Sequence, residues 1–160
     1  MLDIQTLEKL IYECKNEEAI RIVNNISETK DESYLNVLIK HLKSTEDNLL
    51  RNQIALALSD IGENEALDSL IEVITHPRTK GSRGTLLYSL ENLDYVSHID
   101  TIANFIGDPS LEVSMQSFLL LEYVADELSN NQKEKCKSIF ESKLKINENE
   151  FVKDALELLR

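Results

Sequence analysis

The chain has 160 residues, 42% of them apolar and 29% charged, with a net charge of −12. That length is enough to bury a core, while so acidic a balance opposes binding to nucleic-acid backbones or anionic membranes, where Lys and Arg must neutralise phosphates. Four Gly, two Pro and no Trp, among many Leu, Ile, Glu, Lys and Ala, favour helices over strands.

The first ten residues, MLDIQTLEKL, lack a basic start followed by an apolar run, so no secretory leader is expected. No stretch approaches the roughly 18 apolar residues that would span a bilayer. Cys14 and Cys136 lie far apart, with no CxxC and no nearby His. Both are expected to be reduced, buried, small hydrophobes in a cytoplasmic protein.

Apolar residues three and four apart predict ten helices in five antiparallel pairs. The pairs are roughly 3–14 with 16–28, 31–43 with 48–61, 65–75 with 83–93, 98–106 with 110–127, and 131–144 with 148–159. Gly62 stands where one helix should stop, because Gly adopts the left-handed conformation of a helix end at little cost. Asp108-Pro109-Ser110 should end one helix and start the next. Ser129-Asn130-Asn131 offers N-cap oxygens, and Asn147 offers another to the last helix. No linker divides the chain. A single domain over 1–160 is expected, in units of about 1–30, 31–64, 65–96, 97–128 and 129–160.

The chain also repeats itself. A shift of 32 residues places Leu35 on Leu67 and Ile99, Leu38 on Leu70 and Ile102, and Leu42 on Ile74 and Ile106. In the second helix of each unit, Ile54, Leu86 and Phe118 coincide, and Thr45, Pro77 and Pro109 share a turn position. A shift of 31 brings Ile4, Leu7 and Ile11 onto Leu35, Leu38 and Leu42. Residues after 128 keep the helical rhythm without a fixed shift, as expected of a terminal repeat with one face in water.

The run Asp47, Leu50-Arg51, Ile54, Ala57-Leu58, Ile61-Gly62, followed by Glu65-Ala66 and Leu70-Ile71, resembles the HEAT-like repeat. More closely, it resembles the bacterial version named after phycobilisome lyases. Residues 108–125 carry a weaker copy in which Ser114 stands where that family places Arg. Residues 76–93 keep Pro77 and Arg83 but lose the Asp. The resemblance implies an all-α fold, a right-handed α-solenoid of about five HEAT-like antiparallel helix pairs.

Candidate functional residues follow from both readings. Arg51 and Arg83, one repeat apart, are either an anion-gripping pair on the surface or structural, with Arg51 pairing to Asp47. The segment from His76 to Gly84 holds Arg78, Lys80 and Arg83 and no acid, so its backbone N–H groups could receive an anion. Tyr12, Tyr34, Tyr88, Tyr95 and Tyr123 are read as core residues, with Tyr88 and Tyr123 the best placed for an interface because each lies on a second helix. The partner-binding candidates are thus Arg51, Arg78, Lys80, Arg83, Tyr88, Glu91, Glu122 and Tyr123. His41, at a helical position, is expected to be semi-buried. His41, His76 and His98 lack metal-ligand spacing, and no Ser lies in a GxSxG context. No catalytic residue, metal or cofactor is expected.

These readings point to a non-enzymatic protein-binding module with a basic partner, no nucleic acid and no membrane, and a monomer when alone. The resemblance implies a narrower version, since some bacterial immunity proteins have HEAT-like folds: an acidic inhibitor of a basic toxin such as a nuclease. An adaptor in a larger complex is the alternative. HEAT-like relatives also include bilin lyases, a weaker alternative, and DNA glycosylases, whose basic groove with Trp has no counterpart here.

Overall fold

A computed structural model describes residues 3–160. Among them it forms ten α-helices and no strand, the all-α class expected. The helices are α1 (Ile4–Tyr12), α2 (Asn16–Thr29), α3 (Leu35–Ser44), α4 (Asn48–Ile61), α5 (Leu67–Thr75), α6 (Gly84–Tyr88), α7 (Ile99–Ala103), α8 (Leu111–Val124), α9 (Asn130–Ile146) and α10 (Glu150–Leu158). Short 3-10 turns lead into or out of several of them. The chain packs as two compact units, one through Leu93 and one from Asp94 onward.

Unit one holds three helix pairs, and its helix ends are set by local chemistry. Asp3 and Asp47 each accept a backbone N–H three residues on, from Thr6 and Leu50, both at 2.7 Å, satisfying donors that the first turn leaves free. Gly62 ends α4 with a φ of 78°, as its position predicts. The helices then bury the repeated apolar positions. Leu38, Leu42, Leu70 and Ile74 are wholly buried, and α4 packs against α2 and α3 while α3 packs against α5. Polar contacts cross between repeats at nearly the same interval. Lys40 and His41 both reach Glu8, Ser27 donates to Asp60, and Asn92 donates to Ser59 at 3.1 Å. His41 is semi-buried, as expected, with its Nε2 3.3 Å from the Glu8 carboxylate. Hydrogen bonds to Lys40 and His41 hold that carboxyl below its ordinary value.

Unit two holds the last two pairs. Ser110 caps α8, and Ser129 caps α9 in a reciprocal capping box with Gln132. Asn149, not Asn147, caps α10 by accepting the Val152 N–H at 3.2 Å. Tyr95 is buried and donates its hydroxyl to the Leu120 carbonyl at 2.6 Å. Phe118 meets Phe151 edge-on, ring centroids 6.2 Å apart. Leu120, Leu121, Cys136, Phe140 and Ala155 are fully buried.

Two helices are shorter than the periodicity predicts, for identifiable reasons. The helix expected over 83–93 is α-helical only to Tyr88 and then tightens into a 3-10 turn, Ser89–Asn92. Buried Ser89 donates its hydroxyl to the Leu86 carbonyl at 2.5 Å, a local bond that competes with the regular helical ladder. The helix expected over 98–106 is only α7, followed by a turn through Gly107 at a φ of 90°. A Cβ at Gly107 would sit 2.7 Å from Val152 Cγ2, so this turn requires glycine both for its backbone and for space.

Cys14 departs from the expectation of burial. It is exposed, because the tight turn from α1 to α2 places it at a φ of 58°, where its N–H bonds the Ile11 carbonyl at 3.1 Å. Cys136 is buried, as expected, and burial pushes its thiol up to about 11. In the native protein an aromatic disulfide reagent at neutral pH should therefore label Cys14 rapidly, with Cys136 released only on unfolding. Leu70→Ala should lower stability by roughly 2–5 kcal/mol in urea unfolding, whereas Leu49→Ala, at an exposed site on α4, should change it by no more than about 0.5 kcal/mol.

Candidate protein-binding surfaces

The last turn of a helix leaves carbonyls without intrahelical partners, and a cation placed there answers both the missing bonds and the helix dipole. Arg51 does this for α3. It projects from the first turn of α4, donates through Nη1 to Asn48 Oδ1 at 2.6 Å and through Nη2 to the Thr45 carbonyl. It is 1% exposed, and burial, with Arg78 nearby, holds its guanidinium below its ordinary value. Its Nε has no hydrogen-bond partner. The carboxylate of Asp47 is occupied with the Leu50 N–H, so the expected Arg51–Asp47 link is replaced by a bond to the preceding helix. Arg51 is inside the fold and presents nothing to a partner.

Arg83 repeats the role one unit later. Its Nε donates to the Ile74 carbonyl at 2.6 Å and its Nη2 to the His76 carbonyl at 3.1 Å, at the end of α5. Arg78 reaches back across a repeat to the Lys43 carbonyl near the end of α3. Within the 76–84 segment, two residues, Thr79 and Gly84, are buried. Thr79 is fully buried and donates its hydroxyl to the Val73 carbonyl at 2.6 Å. The N–H groups of Thr79, Lys80 and Ser82 go to the carbonyls of His76, Pro77 and Thr79. This segment is a closed turn rather than an anion cradle. Of its basic residues, Arg78 and Lys80 are exposed and Arg83 is half-buried.

At the corresponding place in unit two, Ser110 is the N-cap, which puts Ser114 where Arg51 stands relative to Asp47. Ser114 is buried and its hydroxyl accepts the Gly107 N–H at 2.8 Å, but it has no charge to offer the carbonyls. Lys143 supplies it from α9, donating through Nζ to the carbonyls of Asn104 and Ile106, the latter at 2.6 Å. Burial holds this ammonium below its ordinary value. The sequence reading missed Lys143, since nothing in a lysine near the end of a helix tells which other helix it closes.

Each of the three arginines is committed to a backbone carbonyl, and the other candidates are of a different kind. Tyr88 is 51% and Tyr123 58% exposed, which corrects their assignment to the core, and Tyr12 is exposed as well. Tyr34 and Tyr95 are the buried pair. Glu91 is half-buried and Glu122 exposed. Tyr88 and Glu91 belong to unit one, Glu122 and Tyr123 to unit two. The sequence reading also missed apolar residues that the structure leaves in water, among them Leu49 on α4, Leu111 and Met115 on α8, and Ile146 on α9. Among the described residues no cluster of His, Cys, Asp and Glu could hold a metal ion, and no helix is long and apolar enough to cross a membrane.

Compared with known protein families, residues 4–91 match HEAT repeats, over more than half of the chain. The chain belongs to the HEAT repeat family. No curated protein matches it. The matched span runs from the start of α1 to Glu91 and so covers the three pairs of unit one, including the HEAT helix that carries Arg51. HEAT repeats commonly mediate protein–protein interaction.

The carbonyl-closing role of Lys143 has a measurable consequence. Lys143→Met, which keeps the bulk and removes the donor, should cost about 1.5–3 kcal/mol, the range for bonds to a charged group. Urea unfolding followed by circular dichroism would detect it, and Lys145→Met, at an exposed site on the same helix, should leave stability within about 0.5 kcal/mol.

Proposed function

We propose that this HEAT repeat protein is a non-enzymatic binding module that grips a protein through the exposed faces of its second helices. The observation that carries this reading is the pair of exposed tyrosines, Tyr88 on α6 and Tyr123 on α8. Large amphipathic rings left in water on a repeat scaffold are what interface anchors look like, because they bury much area and lose little rotamer freedom on binding. Glu91 lies near Tyr88 in unit one and Glu122 beside Tyr123 in unit two. With a net charge of −12, each of these faces would steer a basic partner and repel nucleic acid.

A narrower proposal follows from the acidity: a cytoplasmic bacterial immunity protein that neutralises a basic toxin such as a nuclease. The two free thiols, one of them exposed, suit a reducing compartment. The adaptor reading predicts the same faces with several weak partners.

Affinity capture from host lysate at low and moderate salt tests both. One stoichiometric basic partner, released as salt rises, supports the inhibitor; several weak partners support the adaptor; no captured protein overturns the binding reading. Tyr88→Ala and Tyr123→Ala, at exposed sites, should each weaken capture by about tenfold or more, the effect of losing an anchor, while leaving the helical spectrum unchanged.

A further inference from the structure

α8 carries apolar side chains on two sides. Val113, Leu120, Leu121 and Val124 face the core and are buried. On the other side Leu111, Met115, Leu119 and Tyr123 follow one another at intervals of four residues, which sets them in a single row about 18 Å long at the helical rise of about 1.5 Å per residue. Leu111 is 67% and Met115 47% exposed, with Leu119 half-buried. The solvent side of a helix is ordinarily polar, and a thioether flanked by Leu and Tyr is a surface that adapts to an apolar partner. Glu112 and Glu122, both exposed, stand beside the two ends of this row, and α8 contains no Lys or Arg.

We infer that this row seats one amphipathic helix of a protein partner, with its apolar face against Leu111, Met115, Leu119 and Tyr123 and its Lys or Arg residues over Glu112 and Glu122. This rests on the protein-binding reading above and names the chemistry of what is bound. Residues four apart form the ridge that interdigitates with a second helix, and a row of three turns matches a partner segment of about a dozen residues. The charges select among occupants. A second copy of this chain would set Glu112 and Glu122 against their own kind in a two-fold contact, and a nucleic acid would meet the same repulsion. A single helix face encloses no pocket for a small molecule.

The probe is a fluorescein-labelled peptide of about 18 residues, with Leu at positions spaced three and four apart and Lys on both flanks, titrated into the full chain by fluorescence anisotropy. Binding should weaken about tenfold or more in Leu111→Ser/Met115→Ser, both exposed sites, with the helical spectrum intact. Glu112→Gln/Glu122→Gln should weaken binding and flatten its salt dependence, and a peptide with the same apolar face but Glu flanks should not bind. Equal binding to the wild type and Leu111→Ser/Met115→Ser overturns the inference, as does equal binding of the Glu-flanked peptide. A dimer in sedimentation that dissociates in Leu111→Ser/Met115→Ser would show the occupant to be a second copy, and also overturns it. Should the double variant still capture the same lysate partner as the wild type, the protein-binding reading stands and this inference falls. If the wild type captures none, the reading itself fails.

Discussion

The last turn of a helix leaves carbonyls without intrahelical partners, and in three of the helix pairs a cationic side chain closes that end. In the second and third pairs the closing group is an arginine that arrives from the beginning of the next helix. Arg51 reaches the Thr45 carbonyl, and Arg83 reaches Ile74 and His76. Each bond ties the two helices of a pair at their common turn and fixes the angle at which the second leaves the first. The long cross-repeat contacts, such as those from Glu8 to Lys40 and His41, depend on that geometry already being in place.

The same constraint shapes the outside of the molecule. The Arg51 guanidinium is withdrawn from the surface altogether, and the exposed residues include many carboxylates with occasional apolar or aromatic side chains. The charge balance of −12 is thus sharper at the surface than in the whole chain. This HEAT scaffold presents tyrosine rings and the Met115 thioether among acids.

Much of the fold was legible because it is local. The spacing of Leu38, Leu70 and Ile102 identified the buried stripe, and Asp47, Gly62 and Ser129 marked helix ends through bonds that span three or four residues. The misreadings share a cause: they turn on what stands opposite a residue in space. Cys14 has the chemistry of a core residue but occupies a turn whose backbone is left-handed. Tyr88 and Tyr123 read in the sequence as core residues, though best placed for an interface, and both are exposed. On α8 apolar residues occur on both sides, so the hydrophobic pattern did not distinguish the core row from the exposed one. The basic composition of 76–84 suggested an anion loop, whereas the carbonyls its arginines serve belong to other segments, Lys43 among them. Lys143 carried no signal at all, since the group it replaces is missing on another helix, at Ser114.

That substitution also sets an order of events. Arg51 and Arg83 lie only six to nine residues from the carbonyls they hold, so those turns close as soon as a short stretch of chain exists. Lys143 lies 37 and 39 residues beyond its carbonyls, and the entropy of closing a longer loop must be met before the bond forms. During synthesis from the N-terminus the turns of the second and third pairs can close one after the other as they emerge. The turn of the fourth pair can gain its cation only once α9 of the fifth has been made.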